Sequence, residues 1–204
     1  MYVGETPEGE SVKEPGKSQL ITRIAGLAGG RALVAATAVF VPLAVWLFAV
    51  VIPSTQEACG ATPLDMRAHY GATEVTRFLA SCGEVGIDAY RTMQVVDLIY
   101  PAVSAIFLFI AIAVVMRRLV GPTSPALLLA LVPIVGGLAD YAENAVAWMY
   151  LTTSPSPGWG DLMGIAATGK TIAGWLGGLI LLMGVVVVGS RWTTRHFRQT
   201  SVPV

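Results

Sequence analysis

The sequence predicts an all-α bundle of four transmembrane helices, with a cap of short helices outside and both termini cytoplasmic. Three observations carry that prediction. Hydrophobic residues make up 54% of the 204-residue chain and charged residues only 13%, with a mean hydropathy of +0.67. A soluble domain needs about a quarter charged residues to cover its surface. Four apolar stretches, at 33–53, 98–116, 125–151 and 162–189, are each long enough to cross about 30 Å of hydrocarbon. No water is present at that depth to satisfy backbone N–H and C=O groups, so each stretch is read as a helix. Lysine and arginine are unevenly distributed. Lys13, Lys17, Arg23, Arg31, Arg117, Arg118, Arg191, Arg195 and Arg198 fall on one side, and only Arg67, Arg77 and Arg91 on the other. Positive residues are retained in the cytoplasm, which puts the richer side inside a multi-pass cell-membrane protein. The chain then divides into a tail (1–31), a membrane domain (32–190) and a second tail (191–204).

The tail from Met1 to Ser18 is rich in Glu, Gly, Pro and Ser and is expected to be disordered. Ser18–Arg31 is expected to be helical on the inner leaflet, where Lys17, Arg23 and Arg31 favour anionic lipid; these cations otherwise serve only to fix topology. The first span is too long for the core of a cleaved signal, which is about 7–15 residues, and Gln56-Glu57-Ala58-Cys59 lacks the small, apolar run that precedes a lipidated cysteine.

The outer link, 54–96, is long and polar, so structure of its own is expected. Thr62-Pro63 reads as a helix cap followed by proline at the first helical position. Thr73-Glu74-Val75-Thr76 reads as a second start, and Glu84 to Met93 leads amphipathically into the second span. Cys59 and Cys82, the only cysteines, both lie in this link. The even count and an oxidising compartment favour a disulfide over two free thiols. The absence of a Cys-x-x-Cys pair argues against a thiol oxidoreductase. Tyr100, Trp148, Tyr150 and Trp159 fall near the outer interface, and Trp192 near the inner one.

The best candidate site is ionic. Asp140 and Glu143 lie in the third span and Lys170 in the fourth, at depths of about 12–16 Å from the outer helix ends at 1.5 Å of rise per residue. Charges at that depth are costly and usually mark function. Gly136, Gly137, Asp140, Glu143, Asn144 and Ala147 share one helical stripe. The apolar residues of this span supply roughly −4 kcal/mol toward insertion, and two central carboxylates at about +3 kcal/mol each more than cancel it. The third span therefore needs the fourth beside it, with Lys170 paired to an acid, or a protonated acid. Gly164, Ala167, Thr171, Gly174, Gly177 and Gly178 leave one side of the fourth span free of bulk for that approach. Asp97, at the outer end of the second span, either roofs the cluster or is an interfacial acid favoured by a helix N-terminus. Pro101 is expected to free a carbonyl one turn earlier and bend that helix.

The runs Asp97-Leu98-Ile99-Tyr100-Pro101, Leu138-Ala139-Asp140-Tyr141-Ala142-Glu143-Asn144 and Thr168-Gly169-Lys170, with Gly83-Glu84-Val85-Gly86 and Tyr90 in the link, resemble a loosely defined group of bacterial four-span integral membrane proteins with no assigned activity. The resemblance implies no function. It marks Asp97, Asp140, Glu143, Asn144 and Lys170 as one set.

Several chemistries lack their parts. His69 and His196 lie on opposite faces and each reads as solvated, so no bis-histidine haem, zinc or other metal site follows, and no cofactor is implied. Gly169-Lys170-Thr171 ends like a phosphate-binding loop but lacks the first glycine, and there is no dinucleotide motif. Arg191, Trp192, Arg195, Phe197 and Arg198 are too few for nucleic-acid binding. Three functions are compatible with the rest. One is a binding or accessory protein whose cluster holds helices together, a polar lipid head group or another membrane protein. The second is a small proton- or cation-coupled transporter using Glu143 or Asp140. The third is an intramembrane enzyme acting on a lipid. The first is preferred, because it needs only packing and pairing.

Overall fold

The structure, a computed structural model, describes residues 15–153 and 156–200. The expectation of disorder for Met1 to Ser18 lies outside the described residues as far as residue 14, but residues 15–18 are helical and form the first turn of the first helix; the reading of His196 lies outside the described side chains. The described chain is all-helical, and four helical stretches are long and apolar enough to cross a membrane: Gly30–Cys59, Ala72–Val120, Pro125–Thr152 and Pro157–Thr194.

Helix α1 (Pro15–Leu27) buries Ile21, Ile24 and Ala25, with Ala28 just beyond its end, along one stripe at helical spacing. That stripe packs on Ile112, Ala113, Leu127 and Ala130 from the bundle. Arg117 donates from Nη1 to the carbonyls of Ala25 and Ala28, at 3.0 and 3.1 Å. The guanidinium thus satisfies acceptors that a helix end leaves open.

The first span outruns its expected end at Pro53. Helix α2 (Gly30–Trp46) passes through a wide turn at Leu47–Val51 directly into α3 (Ile52–Cys59). Pro53 follows that wide turn inside one continuous helical stretch, and the widened turn accommodates its missing N–H. Phe40 stacks on Phe107, with centroids 4.4 Å apart, and ties this helix to the second span.

Beyond α3 the cap departs from expectation. Thr62-Pro63 does not start an α-helix: a single 3-10 turn spans Leu64–Met66, and the Thr62 carbonyl accepts from Arg67 Nη2 at 2.6 Å instead. Helix α4 (Ala72–Val96) starts one residue before Thr73, and Glu74 accepts from the Gly71 N–H at 2.9 Å. Its two arms meet at Gly83, whose φ of 60° lies in the region that disfavours other residues. The Cys59–Cys82 disulfide is present and joins α3 to α4 one residue before that kink.

Helix α5 (Tyr100–Val120) begins after a turn at 97–99. Pro101 therefore lies in the first helical turn and neither frees a carbonyl nor bends the span. Asp97 is not at a helix N-terminus; it closes the C-terminal end of α4 and is 95% buried. The third span opens as a 3-10 segment at Pro125–Leu131, capped by Ser124, and continues as α6 (Val132–Thr152). Helix α7 (Pro157–Thr200) extends past the expected end at Gly189 and packs most extensively against α6.

Candidate functional site

The site is made where α5, α6 and α7 approach closely. Gly136 of α6 faces Ala173, and Gly137 faces Pro101 and Ala105. Small residues on both sides bring the backbones together. One turn and two turns further along α6, Asp140 and Glu143 then meet Lys170. Its ammonium lies 3.0 Å from Asp140 Oδ1 and 2.6 Å from Glu143 Oε2. One base thus joins two acids, where the sequence indicates a pairing with Glu143 or Asp140.

The two acids have different surroundings. The Glu143 side chain is fully buried, whereas those of Asp140 and Lys170 are each 15% exposed. What seals Glu143 is Tyr70, whose hydroxyl donates to Glu143 Oε1. Tyr70 comes from the outer link, and sequence reasoning missed it. Burial, followed by the charge of Glu143, pushes the Tyr70 hydroxyl well above its ordinary range, so it stays protonated as a donor.

A strap formed by residues 69–72 holds Tyr70 down along one stripe of α7. His69 Nδ1 is 2.9 Å from Thr168 Oγ1, and Ala72 N donates to Asp161 Oδ1 at 3.1 Å. Between them, the Tyr70 backbone rests on Gly164, where any Cβ would collide with the Tyr70 carbonyl oxygen. His69 is therefore exposed yet bonded, not simply solvated. Asp161, Gly164 and Thr168 are spaced i, i+3, i+7 on α7, and this is the only sequence signal for the docking of the strap.

A second polar layer lies beside the first. Asp65 accepts from Gln94 Nε2 at 2.8 Å and from the Tyr90 hydroxyl at 3.1 Å. Asn144 donates to the Asp97 carbonyl at 3.0 Å, and Tyr141 to that of Leu98 at 2.8 Å. Helix α6 thereby satisfies the turn between α4 and α5. The candidate Asp97 is brought in through Asn144, not through the ion pairs; its Oδ2 is buried without a hydrogen-bond partner. Asp65 and Gln94 were not anticipated, since neither lies in an apolar stretch.

On the other side, Asp140 and Lys170 line a half-open crevice of about 180 Å³ between α5, α6 and α7, with Tyr100, Ser104, Gly137 and Gly174. A longer apolar groove of about 470 Å³ runs along α7 past Gly174, Trp175, Gly178 and Leu182. The two hollows share Gly174. Among the described residues, no group of three His, Cys, Asp or Glu side chains is arranged to hold a metal ion.

Four apolar spans closed around an ionic core define a helical integral membrane protein. Comparison of the chain with protein-family models, with curated proteins and with solved structures finds no match.

Proposed function

We propose that the protein binds the polar end of a membrane amphiphile in the crevice that Asp140 and Lys170 line, with the apolar chain lying in the adjoining groove of α7. The observation that carries this reading is the asymmetry of the cluster: Asp140 and Lys170 are partly open to a hollow of about 180 Å³, while Glu143 is shut away. A pair serving only to fix helix register has no need of an open side. Lys170 already meets two carboxylates, and it engages only Oδ1 of Asp140. With two acids to one base, the site repels an anionic head group and suits a hydroxyl or an amine, which donates to the second Asp140 oxygen. Gly174 joins the crevice to the groove, so one molecule can occupy both. The basic-residue distribution supports placing both termini in the cytoplasm and the crevice in the outer half of a plasma membrane.

The test is delipidation of the purified protein in detergent, followed by mass spectrometry of what stays bound. Wild-type protein retains a hydroxyl- or amine-bearing amphiphile. Asp140→Asn, losing a hydrogen bond to a charged group, weakens rebinding roughly tenfold. Gly178→Leu, which fills the groove, displaces the same molecule. An intact wild-type protein that retains nothing, or an Asp140→Asn variant that rebinds equally well, refutes the reading.

A further inference from the structure

A second site lies under the cap, beside the crevice but not lining it, at the junction of α4, α5 and α6. Three buried side-chain oxygens there have no hydrogen-bond partner: Gln94 Oε1, Asp97 Oδ2 and Asn144 Oδ1. The three side chains are between 95% and fully buried. Gln94 and Asp97 are three residues apart at the end of α4, a spacing that puts them on one face, and Asn144 is bonded to the backbone of Asp97.

All three orphans are acceptors, and rotating the amides does not cure them. Turning Gln94 over removes the donor from Asp65 Oδ1, and turning Asn144 over removes it from the Asp97 carbonyl. A proton on Asp97 serves at most one of the other two oxygens. Leaving such groups bare in an apolar interior is costly.

Charge points the same way. Lys170 is the only cation bonded to this part of the molecule among the described residues, and it is already shared by Asp140 and Glu143. Asp97 and Asp65 add two further carboxylates with no ammonium or guanidinium bonded to either. An uncharged water supplies donors but no counter-charge for an ionised Asp97. We infer that a monovalent alkali cation binds here, coordinated by Gln94 Oε1, Asn144 Oδ1 and the Asp97 carboxylate. An all-oxygen set with one carboxylate and two amides suits a hard, singly charged ion and not a transition metal.

The experiment is thermal unfolding of the detergent-solubilised protein in NaCl, KCl and N-methyl-D-glucamine chloride at equal ionic strength. The expected result is a saturable rise in Tm, on the order of 5 °C, in one or both alkali salts relative to the bulky cation. Asp97→Asn abolishes the rise. Asp140→Asn keeps it, which separates this site from the amphiphile crevice whatever becomes of that reading. Equilibrium binding of radioactive sodium, and of rubidium as a potassium stand-in, to wild-type protein needs no variant and is expected to saturate. Equal Tm in all three salts, an equal rise in Asp97→Asn, or an absence of saturable binding of either ion overturns the inference. So does a Tm that follows pH and ignores the cation, since protons then fill the site.

Discussion

The two carboxylates of α6 share one lysine and little else. Glu143 is closed in by Tyr70 and the strap at 69–72; Asp140 opens sideways onto a crevice that shares Gly174 with an apolar groove. The same chemical group, three residues along one helix, is sealed at one position and partly open at the other. Burial of an ion pair is weak evidence for either stability or function. Differential burial within one cluster is better evidence, because it separates the atoms a ligand can reach from those it cannot.

That contrast depends first on Lys170. Lys170→Met leaves two buried acids with no counter-charge, a loss of about 4 kcal/mol. The expected outcome is poor accumulation and early unfolding in detergent. Adding Glu143→Gln and Asp140→Asn removes the uncompensated charges and restores most of the stability. A Lys170→Met protein as stable as wild type means that both acids are neutral in the native state and that no ion pair exists.

The next variants set one side against the other. Tyr70→Phe leaves Glu143 Oε1 buried without its donor, at a cost of about 2 kcal/mol, or roughly 6 °C in Tm. Asp140→Asn keeps the Lys170–Glu143 pair and costs less than about 1 kcal/mol, since the site is partly open. Amphiphile binding is expected to rank in the opposite order: weakened roughly tenfold in Asp140→Asn and retained in Tyr70→Phe. Thermal melts and rebinding assays on the two purified variants provide both rankings. If one variant is the worse by both measures, the two sides do not differ in role.

The half of this arrangement that lies inside spans was legible in the sequence, and the half delivered by the outer link was not. Asp140, Glu143 and Lys170 stand out because an ionisable group in an apolar run violates the local solvent, and the small-residue stripes on the two spans indicate the face on which they meet. Tyr70 lies in a polar link with no periodicity, and its burial comes from long-range docking on Gly164. Of the two readings of Asp97, a roof over the cluster or an acid at a helix N-terminus, the second fails. The amphipathic run before it continues helically up to Val96, so the residue closes α4 and does not open the second span. Pro101 shows the complementary lesson. Proline breaks a helix interior but fits the first turn, and which of the two applies depends on where the preceding element stops.

The sealed side also carries a pH signature that the open side lacks. The Tyr70 hydroxyl is held above its ordinary value of 10.0 by burial and by the Glu143 carboxylate, so the folded protein keeps a proton that the unfolded chain gives up in alkali. Above the unfolded value the unfolded state binds fewer protons than the native state, and stability falls as pH rises. The contribution is fully present below about pH 10 and is lost above it. Wild-type protein and Tyr70→Phe are therefore expected to converge in Tm between about pH 10 and 11, while the gap between wild type and Asp140→Asn stays constant across the same range. Other tyrosines titrate in both members of each pair and cancel in the difference. A wild-type to Tyr70→Phe gap that does not narrow means that Tyr70 ionises as readily in the folded protein as in the unfolded chain, and that Glu143 is not sealed after all.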